Sequence, residues 1–141
     1  MTALAMACRL ILYCHGSHVA EVTDAIDAVC RFQRWPQECR AALVTLAHNE
    51  TRWYHSESAV RFSPWGLVSA AQRGEWIPGV TPYVVAASIA RETIYRGMRH
   101  CGHRWPAAFA WYIRGDQRGR CPRVGPESRQ RWQQMRGLLR R

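Results

Sequence analysis

Prolines at the start of apolar segments are the feature that most constrains how this chain can fold. Trp35-Pro36, Thr81-Pro82, Trp105-Pro106 and Pro126 each introduce a stretch whose apolar residues recur at helical spacing. A helix tolerates proline in its first turn, because the N–H that proline lacks has no helical partner there, whereas proline inside a helix breaks it. The pattern therefore predicts four helices that begin at these points and are joined by turns.

Apolar spacing and turn residues indicate the remaining elements and their approximate ends. The predicted helices cover residues 17–29, 36–49, 66–72, 82–99, 105–114 and 126–141. Ser17 is predicted to cap the first of them. Residues 51–65 lack a period and contain a proline, so they are predicted to form a loop with room for a short hairpin. Residues 74–82 and 116–125 are predicted as further loops.

Length and composition are those of one folded domain. The chain has 141 residues, of which 48% are hydrophobic and 21% charged, and this balance excludes a wholly disordered protein. We therefore predict a single domain over residues 1–141, mainly α with little β-sheet. Its parts are an apolar N-terminal segment (residues 1–16), interpreted as a first helix or strand, and a basic C-terminal helix (residues 126–141).

The sequence carries no signal for membrane insertion. No stretch of 18 apolar residues is present, so no integral membrane segment is expected. The apolar start of the chain lacks a basic leader and is interrupted by Arg9, which weighs against a signal peptide.

Positive charge is concentrated in the second half of the chain and comes from arginine alone. There are 20 arginines and no lysine, and the net charge is +10. Residues 1–60 hold five arginines and six acids, a net of −1, whereas residues 61–141 hold fifteen arginines and four acids, a net of +11. This distribution favours nucleic acid, an anionic membrane face or an anionic wall polymer as the partner. No helix-turn-helix, zinc-finger or RNA-binding signature accompanies it.

Six cysteines leave two interpretations open. Cys30–Cys39 and Cys101–Cys121 are the obvious local disulfide pairs, and reduced, buried thiols are the alternative. No CxxC pair is present and the Cys and His spacings match no common zinc site, so neither a metal nor any other cofactor is expected.

Glu50 is the strongest candidate for chemistry, because it stands where an apolar helix is predicted to end. Apolar walls and the negative end of the helix dipole both disfavour an ionised carboxylate. A carboxylic acid that keeps its proton can donate it to a leaving oxygen. The alternative interpretation is an ordinary solvated glutamate at a helix end.

Four short motifs, taken in order, resemble those of one enzyme superfamily. They are Glu50-Thr51, the run from Ala59 to Ser63-Pro64-Trp65-Gly66-Leu67, the helix from Trp105 through Ala110-Trp111-Tyr112-Ile113-Arg114-Gly115, and Gly119-Arg120. This order is similar to that of lytic transglycosylases and goose-type lysozymes, members of the lysozyme-like superfamily. The resemblance covers residues 36–121 and implies a lysozyme-like (α+β superfamily) fold.

The resemblance implies cleavage of the β-1,4 bond between N-acetylmuramic acid and N-acetylglucosamine in peptidoglycan, with Glu50 as general acid and base. It favours a transglycosylase, in which the muramyl 6-hydroxyl attacks and a 1,6-anhydro sugar results. A hydrolase would need a second carboxylate, for which Glu57 and Glu75 are the candidates. Glu57 is also a rival for the main acid, but it lies in a polar stretch without the helix-end setting.

Substrate-binding residues are implied by the same motifs. They are Thr51, Ser63, Trp65, Gly66, Leu67, Gln72 and Tyr112. The chain departs from the family pattern at three places, since Thr51 replaces a serine, Val68-Ser69 replace Met-Gln, and Ile113 replaces an asparagine. Gln72 could substitute for the missing glutamine only from one turn later.

These features together predict a peptidoglycan-cleaving enzyme that acts in the periplasm or at the cell wall. Its expected partners are peptidoglycan glycan strands and, since no signal peptide is expected, phage particle proteins. The enzyme would then be virion-associated or released at lysis. The alternative is a non-enzymatic phage structural protein or nucleic-acid-binding protein that uses the basic C-terminal half.

Overall fold

The computed structural model describes residues 1–52, 57–115 and 117–140, apart from the side chains of Ser17 and residues 57–59. Over this part the chain is mainly helical, with 66% helix and no sheet, which confirms the predicted class. The helices are α1 (Ala3–Leu10), α2 (Ser17–Cys30), α3 (Pro36–Thr51), α4 (Glu57–Phe62), α5 (Val68–Gln72), α6 (Tyr83–His100), α7 (Trp105–Arg114) and α8 (Pro126–Leu139).

The helix starts predicted from proline are confirmed. α3 and α8 begin at their prolines, α7 has Pro106 as its second residue, and α6 begins directly after Pro82. Gly115, with φ +71°, ends α7 as predicted. The prediction for Ser17 is wrong by one position, because Gly16 occupies the cap and Ser17 is already the first helical residue.

The loop predicted over residues 51–65 is wrong in its second half, where α4 forms. α4 is held by a contact distant in sequence, since the Trp76 indole Nε1 donates to the Val60 carbonyl oxygen at 2.8 Å. Such a contact leaves no apolar period in the sequence, which is why the helix was not predicted. No hairpin occurs in the described residues, where the one β-bridge joins Gln117 to Arg120 in the basic loop.

α3 is the central helix of the core. Every residue from Ala41 to Ala47 is fully buried. A helix that is apolar around its whole circumference must be enclosed by others, and α1, α2, α6 and α8 all pack against it. The next turn of this enclosed helix carries Glu50, so its backbone position is set by the core.

The N-terminal segment is helical and belongs to the core through Ala3, Met6 and Ala7. The Arg9 guanidinium donates to the carbonyl oxygens of Leu138 and Arg140, which joins this segment to the end of α8. None of the described helices is long and apolar enough to cross a membrane.

All six cysteines are paired, as Cys8–Cys14, Cys30–Cys39 and Cys101–Cys121. Two of these pairs are the local ones indicated by the sequence, and the third closes the turn after α1. Cys8, Cys14 and His15 bring metal-ligand atoms together, but the two sulfurs are bonded to each other and cannot act as thiolate ligands.

Candidate active site

Glu50 lies in the last turn of α3, directly against the turn that carries Gly66. A Cβ atom on Gly66 would lie 2.9 Å from Glu50 Oε2, closer than real Cβ contacts, and Gly66 also has φ +64°. Only glycine meets both requirements without strain. The Glu50 side chain is 23% exposed, so it is accessible to a ligand.

Three of the predicted substrate-binding residues are buried and support the turn instead of lining a cleft. The Thr51 hydroxyl donates to the Pro64 carbonyl oxygen at 2.6 Å, and the Ser63 hydroxyl accepts from the Trp65 backbone N–H at 3.2 Å. The Trp65 ring is fully buried, and its indole N–H donates to the Leu43 carbonyl oxygen at 3.1 Å. Their side chains are therefore buried supports of the turn in this structure, and their predicted contact with substrate stays a prediction.

Tyr112 joins α7 to the same turn. Its hydroxyl donates to the Trp65 carbonyl oxygen at 2.6 Å. Burial raises the pKa of Tyr112 well above 10.0, and the charge of Glu50 raises it further, while Arg131 acts in the opposite direction. The phenol therefore stays protonated and keeps its hydrogen bond at any ordinary pH.

Four predicted residues meet in one cleft of about 380 Å³, namely Glu50, Gly66, Leu67 and Tyr112. The cleft is also lined by Val68, Ser69, Ala70, Arg73, Ile89, Thr93, Ile113, Arg114 and Gly115. Its volume is in the range of small-molecule sites in proteins. Ser69 and Ile113, two of the departures from the family pattern, both face this cleft.

The remaining predicted residues lie elsewhere or outside the description. Gln72 is exposed at the end of α5 and is not among the residues that line the cleft. Glu75 is ion-paired with Arg73, which does line it. Glu57 begins α4, but its side chain lies outside the described part.

Arg131, on α8, is the neighbour of Glu50 that the sequence did not reveal. Its Nη1 donates to Glu50 Oε1 at 2.6 Å and its Nη2 to Glu127 Oε1 at 3.2 Å. The Arg131 side chain is only 6% exposed, so its contact with Glu50 is largely shielded from water. The expectation for the surroundings of Glu50 rested on apolar walls and the helix end, and it did not include this arginine. The only sequence signal was the spacing of Glu127 and Arg131, one helical turn apart among many arginines.

The two oxygens of Glu50 have different surroundings. Oε1 is bound by Arg131, whereas Oε2 faces Gly66 and receives no hydrogen bond from the described residues. Glu50 is also the only carboxylate among the described residues that line the cleft.

Comparisons with protein-family models, curated proteins and solved structures find no match to this chain. The chemistry of the cleft therefore has to be inferred from its geometry. A single accessible carboxylate, a fixed neutral phenol and the guanidiniums of Arg73 and Arg114 suit proton transfer to a polar ligand that carries no large positive charge.

Proposed function

We propose that this protein is a lysozyme-like enzyme that cleaves the β-1,4 bond between N-acetylmuramic acid and N-acetylglucosamine, with Glu50 as general acid and base. One observation carries the proposal. Glu50, the Gly66-Leu67 turn and Tyr112, which are widely separated in sequence, converge on one cleft. They come from three of the motifs that resemble those of lytic transglycosylases.

In the proposed reaction Glu50 Oε2 delivers a proton to the glycosidic oxygen, and the bond to the muramyl carbon breaks through an oxocarbenium-like transition state. Glu50 is then ionised, with Oε1 still accepting the hydrogen bond from the Arg131 guanidinium. The carboxylate next takes the proton of the muramyl 6-hydroxyl as this oxygen attacks the same carbon. The product is a 1,6-anhydro sugar and Glu50 regains its proton.

We propose a transglycosylase over a hydrolase on the basis of the carboxylates of the described residues, which do not include the side chain of Glu57. An inverting hydrolase needs a second free carboxylate to activate water. Glu75 is engaged with Arg73, and no carboxylate other than Glu50 lines the described cleft. An attacking group supplied by the substrate removes the need for that second carboxylate.

Zymography on purified peptidoglycan with wild type, Glu50→Gln and Glu127→Gln tests the proposal. Glu127 is the matched control, because it binds the same arginine from an exposed position outside the main cleft. We expect clearing by wild type and Glu127→Gln and none by Glu50→Gln. Mass spectrometry of the released fragments should find anhydro ends. Clearing by Glu50→Gln would refute the role of Glu50, and reducing ends would refute the transglycosylase.

Nucleic-acid binding remains the second candidate, because α7 and α8 form a basic groove of about 380 Å³. Arg104, Arg129 and Arg136 line it beside Trp132, and no described carboxylate pairs with these arginines. Oligonucleotide binding that weakens steeply with salt and is lost in Arg104→Gln/Arg129→Gln, with no clearing of peptidoglycan, would favour this function.

A further inference from the structure

The turn between α2 and α3, residues 31–35, exposes two large aromatic rings. Phe32 is 88% exposed and Trp35 is 59% exposed. Single exposed apolar residues are common, but two aromatic rings at the tip of one short turn form a patch that calls for a partner. We refer to residues 31–35 as the aromatic turn.

The exposure is built into the fold, because the backbone on both sides of the aromatic turn is braced. The Cys30–Cys39 disulfide joins the ends of the flanking helices. Within it, the Gln33 N–H donates to the Cys30 carbonyl oxygen at 3.1 Å. The Arg91 guanidinium, from α6, donates to the Val29 carbonyl oxygen at 2.6 Å. The rings are therefore held outward by a fixed turn and not by a frayed end.

Each ring has an arginine next to it. The Arg31 guanidinium lies 5.9 Å from the centre of the Phe32 ring, and that of Arg34 lies 5.4 Å from the Trp35 ring. Both arginines are outside the core, and no described carboxylate forms an ion pair with either. The aromatic turn thus presents apolar rings and positive charges on the same small surface.

We propose that the aromatic turn docks this protein onto the surface of an anionic phospholipid bilayer. Aromatic rings favour the boundary between headgroups and acyl chains, and neighbouring arginines can bind lipid phosphates. The net charge of +10 adds long-range attraction to the same surface. A small-molecule site would instead need a concave surface with convergent polar groups, whereas these rings project into solvent. This docking is independent of the chemistry proposed for Glu50.

Sedimentation with extruded vesicles tests the docking on the disulfide-intact protein. We expect wild type to bind vesicles that contain phosphatidylglycerol and to bind pure phosphatidylcholine vesicles much more weakly. Phe32→Ser/Trp35→Ser should lower the partition coefficient roughly tenfold or more, since the two rings that the bilayer would bury are lost. Arg31→Gln/Arg34→Gln should lower it roughly fivefold per arginine on anionic vesicles, with a shallower salt dependence.

A matched control comes from the turn after α1, where Leu12 and Tyr13 are 92% and 89% exposed. Leu12→Ser/Tyr13→Ser removes a similar exposed apolar surface from the opposite end of α2 and should leave the partition coefficient unchanged. Unfolding curves of all variants should match, because every substituted side chain lies outside the core. The proposal would be overturned if wild type failed to bind anionic vesicles, or if Leu12→Ser/Tyr13→Ser lost as much vesicle binding as Phe32→Ser/Trp35→Ser. It would also be overturned if Phe32→Ser/Trp35→Ser lost binding to insoluble peptidoglycan but not to vesicles.

Discussion

Replacing Gly66 by alanine tests the geometry on which the candidate site depends. The added Cβ would lie 2.9 Å from Glu50 Oε2 and 3.3 Å from Glu50 Cβ. The Glu50 side chain must therefore move, and movement weakens its 2.6 Å contact with Arg131. Gly74 provides the control, since it has a similar φ of +75° but no neighbouring atom within 4 Å of the position that an alanine methyl group would take.

The two substitutions share one cost and differ in another. Either alanine is strained by a positive φ, which costs about 1 kcal/mol. Gly66→Ala also disturbs a charge-assisted contact to a buried arginine, and because Glu50 is 23% exposed, water offsets part of that loss. The additional cost is then roughly 1–3 kcal/mol. We expect a total loss of roughly 2–4 kcal/mol for Gly66→Ala and about 1 kcal/mol for Gly74→Ala.

Urea unfolding with intact disulfides, followed by circular dichroism, measures both losses. A double-mutant cycle identifies their cause. In a Glu50→Ala background most of the excess cost of Gly66→Ala should disappear, because only the 3.3 Å approach to the Cβ of residue 50 remains. The activity proposed for the cleft should fall in Gly66→Ala and persist in Gly74→Ala. Equal losses for the two glycines, or an excess that is undiminished in the Glu50→Ala background, would refute the close approach of Glu50 Oε2 to Gly66.

Three further predictions concern groups around the core. Tyr112→Phe removes the bond to the Trp65 carbonyl and should cost about 1 kcal/mol of stability; because the pKa of Tyr112 is raised well above 10.0, ultraviolet titration near pH 10 should give the same number of ionising tyrosines in the variant and in wild type. Burial and, to a smaller extent, the charge of Arg52 lower the pKa of His48 from 6.5, so the folded state disfavours the charged form of this side chain. The free energy of unfolding should therefore fall as the pH drops below 6.5. The difference between the urea midpoints at pH 7.5 and pH 5 should be smaller in His48→Gln than in wild type. Cys101→Ser/Cys121→Ser opens a link across 20 residues and should cost about 3 kcal/mol, seen as a lower thermal midpoint than that of the disulfide-intact wild type.

The helix starts were predictable because their signals are local. Pro36, Pro106 and Pro126 act locally, because proline lacks the N–H that the interior of a helix requires. The structure has a helix start at each of them. The same holds for Gly115, whose positive φ ends α7. The two local cysteine pairs were one of two open interpretations, because spacing permits a disulfide but does not exclude reduced thiols.

The sequence was insufficient where a contact distant in sequence decides the outcome. α4 is held by Trp76, and Trp65 is held in the core by its bond to Leu43. An aromatic residue next to a glycine looks the same in sequence whether it faces a cleft or fills a core.

By itself, the sequence determined the helical class, most helix boundaries and the concentration of positive charge in the second half. These properties depend on proline, glycine and apolar spacing within a few residues. Only the tertiary structure decided which arginine reaches Glu50, because α8 packs against α3 and buries Arg131 there. It also decided that Gly66, Leu67 and Tyr112 line the cleft, whereas Thr51 is bonded to the turn beside it. Which side chain lies against a carboxylate depends on how distant segments pack together, and local sequence does not encode that distance.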